Sequence, residues 1–272
     1  MPESNFSLFE SIKHRDGNGI EYWDSRELAQ ALDYKYQNFE NVLEKSKEAC
    51  RNSHQNIDYH FIDSSKMIAT GKGAHREVKS TLLSRYACYL IVQNADPSKE
   101  VVALGQTYFA VQTRIQEIEN ERRLLLREDM RRHNKDLAAA ARDAGVIQPM
   151  DYAIFQNAGY KGLYNGETAS MIKRRKGLKK SQDILDHMGS EELADNMFRV
   201  TQAEARLRRE QITDKNQANA VHYDTGRRVR GFIKELGGTM PEDLPTPGKS
   251  IKELEAEQKK QLKGSASQSD EQ

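Results

Sequence analysis

Along this chain the most apolar run lies at residues 81–126 and reads as two consecutive helices. Leu83, Ala87, Leu90 and Ile91 fall on one face of the first at the 3.6-residue period. Asn94-Ala95-Asp96-Pro97 then breaks the pattern, with Asp96 suited to an N-cap and Pro97 to a first helical turn. The second helix sets Val101, Leu104, Tyr108, Val111, Ile115, Ile118 and Leu125 at alternating three- and four-residue steps. Arg122 interrupts the stripe, and Asp129 and Arg132 end it. Such spacing predicts a packing seam, first for an N-terminal domain and then for a helical arm leaving it.

Upstream, Ile20 to Trp23 reads as a short strand, and Asp24-Ser25-Arg26-Glu27 resembles a capping box opening a helix. Leu28, Ala31 and Leu32 give that helix its buried face, and Phe39, Val42, Leu43 and Ser46 line a second one. The pair has the outline of a helix-turn-helix, a candidate duplex reader in which Arg26 and Lys35 would contact DNA. Glu40, Glu44 and Glu48 stand at four-residue spacing on the second helix and would repel phosphate, so a packing unit is the competing reading. Residues 56–80 read as a β hairpin, Tyr59 to Ile62 and Lys66 to Ala69, turning at Gly71-Lys72-Gly73. Lys66, Lys72, Arg76 and Lys79 give it a modest basic rim, which reads equally as a solvated edge.

Downstream, residues 113–145 read as long helix. Arg122, Arg123, Arg127, Arg131, Arg132 and Lys135 alternate there with Glu117, Glu119, Glu121, Glu128 and Asp129, a solvated or coiled-coil surface. Its exposed apolar positions could pair with a second chain in a homodimer. Gly145 is a C-cap candidate, Asp151 opens the next helix, and residues 159–166 are turn-rich with two exposed-looking rings, Tyr160 and Tyr164. Ser181 and Ser190 are predicted N-caps, the second for a helix burying Leu193, Met197, Val200 and Leu207. Asp214 opens the last long helix, with Ala218, Val221, Val229, Phe232, Ile233 and Leu236 apolar and Gly237-Gly238 as its stop. The expected fold is α+β and mostly helical: a small N-terminal α+β domain over 1–112, an arm over 113–148 and a C-terminal helical domain over 149–240. A flexible tail over 241–272 follows, with a short helix at Lys252 to Leu262 and disorder from 263.

Composition sharpens this picture. The chain has 272 residues, 37% hydrophobic and 31% charged, with a mean hydropathy of −0.84, which fits small helical units better than one deep core. A net charge of +1 supplies no global field, so any polyanion must be held by local patches. Cys50 and Cys88 are isolated, residues 1–9 lack a signal peptide's apolar core, and no apolar run could cross a bilayer. The expectation is a soluble, reduced, cytoplasmic protein.

The strongest charge feature is Lys173, Arg174, Arg175, Lys176, Lys179 and Lys180, opposed between 161 and 182 only by Glu167. Beside Tyr160 and Tyr164 it has the parts of a single-strand site, cations for phosphates and rings for base stacking. One or two lysines would satisfy a helix dipole, and the surplus points to nucleic acid or an acidic protein surface. Arg227, Arg230 and Lys234 share a helix face as auxiliary cations, with Arg228 beside them. The scattered histidines form no HxxxH or HExxH pair, and there is no GxSxG or glycine-rich cofactor loop. No metal, cofactor or catalytic residue is expected. Glu77-Val78-Lys79 has the E-x-K of some nucleases, the remaining enzymatic alternative.

Several segments together carry a resemblance: Trp23 to Leu28, Leu82 to Asn94, Gly105 to Gln112, Ala153 to Asn157, Arg175 to Lys180, Ile184 to Gly189 and Glu235 to Pro245. In this order they resemble the bacterial DNA-damage-inducible protein D family over about 15–250. The resemblance implies an N-terminal domain akin to the BRO-N domains of phage antirepressor-like and viral DNA-binding proteins, and a gene switched on by the SOS response. It offers no catalytic residues to carry over. With the electrostatics it implies a non-enzymatic modulator of DNA repair and recombination, partnered by single-stranded DNA or the recombinase filament on it. The alternative is an antirepressor-like duplex binder working through residues 24–50.

Overall fold

The computed structural model describes residues 9–17, 19–70 and 74–269, so the expected turn at Gly71-Lys72-Gly73 lies outside the described residues. The chain divides into two compact units, Met1–Arg114 and Ile115–Gln272.

The first unit is built on an antiparallel sheet of order β1-β2-β4-β3: β1 Lys13–Arg15, β2 Glu21–Asp24, β3 Phe61–Thr70 and β4 Ala74–Leu83. As its capping sequence predicts, α1 (Ser25–Ala31) starts where the Asp24 carboxylate accepts from the amides of Arg26 and Glu27. Asp33, at φ 57°, turns the chain into α2 (Tyr36–Asn52), which buries Phe39, Val42, Leu43, Ser46 and Cys50. A 3-10 turn, Ile57–Tyr59, leads into β3.

The apolar run opening at Leu82 is strand before it is helix. Leu83, expected on a helix face, pairs in β4 with Trp23 and Phe61 and is fully buried. Ser84 then caps α3 (Arg85–Asn94), whose Ala87 and Ile91 face the core as expected. Asp96 accepts from the Ser98 amide and holds a turn, so α4 (Glu100–Asp143) begins later than the Asp-Pro pair implied.

The first unit buries only the start of the predicted seam on α4, where Val101 packs half-buried against its core. Leu104 and Val111 are exposed, while Val102 is buried and Gly105 lies against Val92. Gly105 permits that approach, since a Cβ there would stand 3.0 Å from Val92 Cγ1.

In the second unit α4 again turns its predicted stripe outward, with Leu125 70% exposed. Its buried face is Arg123, Arg127, Met130, Leu137, Ala140 and Ala141, so the expected solvated arm is core-forming helix. Gly145, at φ 84°, ends the segment. Then follow α5 (Pro149–Leu163), α6 (Ala169–Arg175), a 3-10 turn Leu185–His187, α7 (Ser190–Arg209), α8 (Lys215–Glu235) and α9 (Ile251–Ser269). Gly189, not Ser190, occupies the N-cap position of α7, and no α-helix starts at Ser181. Asp214 caps α8 as predicted; Phe232 and Leu236, expected on its apolar face, are exposed.

Helices α5 and α8 cross in close contact. A Cβ on Gly226 would lie 2.7 Å from the Gly159 carbonyl oxygen, and one on Gly162 would lie 2.2 Å from that of Tyr223. The glycines read as turn signals are therefore packing residues inside a helix, and the turn comes only at Asn165-Gly166. Residues 241–272, expected as a flexible tail, include α9, whose Ile251 and Leu254 are buried.

Candidate nucleic-acid interface

The end of α6 and the loop after it carry the predicted basic cluster, and the fold divides it. Thr168 caps α6, and Ile172 is the buried residue that anchors it. Lys176 lies one turn beyond Ile172 and is drawn inward with it. Its ammonium donates to Glu192 Oε2 at 2.7 Å, and both side chains are 0% exposed. Lys176 is therefore a structural partner of Glu192, not a phosphate ligand. Arg175 pairs with Glu167 at 3.0 Å and donates to the Glu242 carbonyl at 2.9 Å. Lys173 donates to the Lys180 carbonyl at 2.7 Å and so pins the loop. Arg174, Lys179 and Lys180 remain exposed.

The two tyrosines assigned to stacking are core residues. Tyr164 is fully buried, its hydroxyl donating to Glu192 Oε1 at 2.9 Å and accepting from Asn196 Nδ2 at 2.7 Å. Tyr160 is buried beside it, 5.0 Å beneath the guanidinium of Arg199. Neither ring can meet a base. Burial raises both phenol pKa values, so the hydroxyl of Tyr164 stays a donor to the carboxylate.

These residues belong to a hydrogen-bonded chain through the second unit's interior. It runs from Lys176 through Glu192, Tyr164 and Asn196 to Arg199, which donates to His222 Nε2 at 2.5 Å. Since arginine can only donate, Nε2 accepts and Nδ1–H donates to the Phe155 carbonyl at 3.0 Å, which fixes a neutral imidazole. Burial, then the Arg199 charge, hold its pKa well below the ordinary range. Burial raises the Glu192 carboxyl against the opposing pull of Lys176. On α4, Arg123 donates to the carbonyls of Met188 and Lys249, and Arg127 bonds Asp186 at 2.8 Å and Asp183 at 2.7 Å.

The second predicted stripe lies on α8. Arg227 and Arg228 are exposed and share Asp224, while Lys234 is exposed at the far end. Arg230 is tied in a two-bond fork to Glu242. Tyr223 precedes Arg227 by four residues on this face and is 45% exposed. Its four-residue spacing from Arg227 is legible in the sequence, and it, not Tyr160 or Tyr164, is exposed.

In the first unit, the proposed duplex reader is occupied by its own contacts. Arg26 stacks 3.7 Å over the Tyr36 ring and donates to the Lys79 carbonyl at 2.7 Å. Lys66 bonds Glu27 at 2.5 Å, while Lys35, Arg76 and Lys79 are exposed. The exposed face of α2 carries Glu40, Glu44 and Glu48. Glu77 accepts from Ser65 on the neighbouring strand. Among the described residues no group of three His, Cys, Asp or Glu is placed to hold a metal, and no helix is long and apolar enough to cross a membrane.

Comparison with known proteins fits this division. Residues 11–110 match the BRO family, N-terminal domain, and residues 117–254 match the DinD C-terminal domain. DNA damage-inducible protein D of Escherichia coli (strain K12) is 54% identical over 258 residues, covering 91% of this chain and 94% of that protein. The chain belongs to the DNA damage-inducible protein D family. In this family member the matched C-terminal region includes α6, α8 and the segment carrying Glu242.

Proposed function

We propose that this protein serves in the DNA-damage response as a non-enzymatic modulator that binds single-stranded DNA, bare or within a recombinase filament. The name of its relative supports the setting. The observation that carries the binding surface is the sorting of cations in the second unit. Lys176 is consumed by the core, yet Arg174, Lys179, Lys180, Arg227, Arg228 and Lys234 stay in solvent, and Tyr223 is exposed one helical turn before Arg227. Exposed cations beside an exposed ring suit a flexible phosphate backbone with unstacked bases. Duplex reading through residues 24–50 is less well supported, because Arg26 is engaged and Glu40, Glu44 and Glu48 stand on the outer face of α2.

The test is fluorescence anisotropy of labelled single strand, duplex and recombinase-coated single strand at low and high salt. Tighter binding to either single-strand form than to duplex is expected. Replacing Arg174, Lys179 and Lys180 with Gln should flatten the logarithmic salt slope by about two, given about 0.7 per neutralised phosphate. Preference for duplex, or an unaltered slope, would refute the assignment.

A further inference from the structure

Glu242 lies on the segment of turns and irregular backbone between α8 and α9. Its Oε2 accepts from Arg230 Nη1 at 2.7 Å and its Oε1 from Nη2 at 2.7 Å. Its carbonyl accepts from Arg175 Nη1 at 2.9 Å. Glu242 is thus where the α6 cluster and the α8 stripe converge. The fork on Arg230 is the geometry in which a guanidinium grips two oxygens of a phosphate. Arg230 is already oriented for it, because Nη1 also donates to the Leu163 carbonyl at 3.1 Å. Arg227 and Lys234 lie on the same helix face.

The exposure of this pair separates it from the structural ties nearby. Lys176 and Glu192 are both 0% exposed, whereas Arg230 and Glu242 are 22% and 20% exposed, so solvent and a ligand can reach them. Burial raises the Glu242 carboxyl, but the bonds from Arg230 outweigh it and keep the group ionised. Asp243, the next residue, adds to the field on Arg230.

We propose that Arg230, with Arg175 beside it, forms a phosphate-binding subsite, and that the Glu242 carboxylate is its internal occupant. A backbone phosphate of single-stranded nucleic acid displaces that carboxylate when it binds. This inference rests on the polyanion reading above. Arg230 then contributes to binding only by exchanging one anion for another, so in the native protein it is nearly silent. Removing the internal anion makes it count.

The experiment titrates a labelled single-stranded oligonucleotide with the full chain at several salt concentrations. Four variants are compared with the unaltered protein: Glu242→Gln, Arg230→Gln, the two combined, and the Gln replacement of Arg174, Lys179 and Lys180. Glu242→Gln should bind about three- to tenfold tighter at low salt, with a salt slope steeper by about 0.7. Arg230→Gln alone should change affinity by less than about twofold, and adding it to Glu242→Gln should cancel the gain. The single and double variants share the loss of the tie, so their difference reads the availability of Arg230 even if both melt earlier. Equal affinity of those two variants, or no gain in Glu242→Gln, overturns the subsite. If the Arg174/Lys179/Lys180 variant still loses binding, only the subsite fails; if it does not, the polyanion reading fails with it.

Discussion

The two units bury their cores in different ways. In the first, Trp23, Leu28, Phe39, Leu83 and Ile91 make an apolar core. Among the described residues its buried polar side chains are small: Asp24, Ser25, Ser46, Ser80 and Thr81, with Ser80 donating to Asp24 at 2.7 Å. In the second, Arg123, Arg127, Lys176, Asp186, Glu192, Arg199 and His222 are buried among apolar side chains. A buried charge is costly unless paired or hydrogen-bonded, and these are joined into networks, with Arg199 held by neutral His222 and Asn196 while its Nε lacks a partner. The difference teaches that a run of lysines and arginines is not a map of a binding surface. In the second unit part of that charge is structural, and only the solvent-facing remainder is free to attract a polyanion.

The contrast is broken most severely at the buried ion pair. Lys176→Met leaves Glu192 uncompensated in the interior and should cost about 3–5 kcal/mol of unfolding free energy. Adding Glu192→Gln should restore much of that loss. Denaturant melts of the single and double variants check this, and equal destabilisation by both would contradict the pairing.

The helix crossing comes next. Gly226→Ala drives a methyl group toward the Gly159 carbonyl and should cost about 2–3 kcal/mol. Ala at Gly231 on the same helix, where a Cβ meets nothing within 4 Å, should cost nothing and gain slightly in helix propensity.

The smallest effect is a matter of pH. Asp195 Oδ2 is buried without a hydrogen-bond partner, and burial, with Glu191 and Glu192 nearby, raises its pKa from 3.8 to about 6. The folded state therefore holds a proton that the unfolded chain gives up between pH 4 and 6. Ionisation above about pH 6 thus costs stability, and below about pH 4 the group is neutral in both states. Asp195→Asn should stabilise by about 1 kcal/mol at pH 7.5, after allowance for its partial exposure, and by nothing near pH 4. A stabilisation independent of pH would point to packing instead.

Much of this arrangement was legible because its signals are local. Asp24 and Asp214 announced their helices, Gly145 its stop, and Phe39, Val42 and Leu43 their face. Other signals had two meanings. Glycines at 159 and 162 mark a turn or a tight crossing with equal force, and only the approach of Gly226 decides. Leu82-Leu83 fits a strand end as well as a helix start, and pairing with Trp23 settles it. The fates of Lys176, Tyr164 and Arg230 depend on Glu192, Asn196 and Glu242, partners that spacing along one helix does not reveal. The stripe from Leu104 to Leu125 has the right period for a seam, yet the buried face is a neighbouring one, carrying Val102 in the first unit and, in the second, Arg123 and Arg127 with their carbonyl and carboxylate acceptors.

The most direct test of this sorting compares two changes within one basic run, Lys176→Met against Lys179→Gln with Lys180→Gln. Thermal melting and the salt dependence of single-strand binding are read on the same samples. Lys176→Met should lower the melting temperature while its folded fraction keeps the native salt slope. The paired change should leave melting unaltered and flatten the slope by about one to one and a half. A paired change that destabilises the fold and leaves binding intact, or a Lys176→Met protein that melts normally and loses binding, would contradict the sorting.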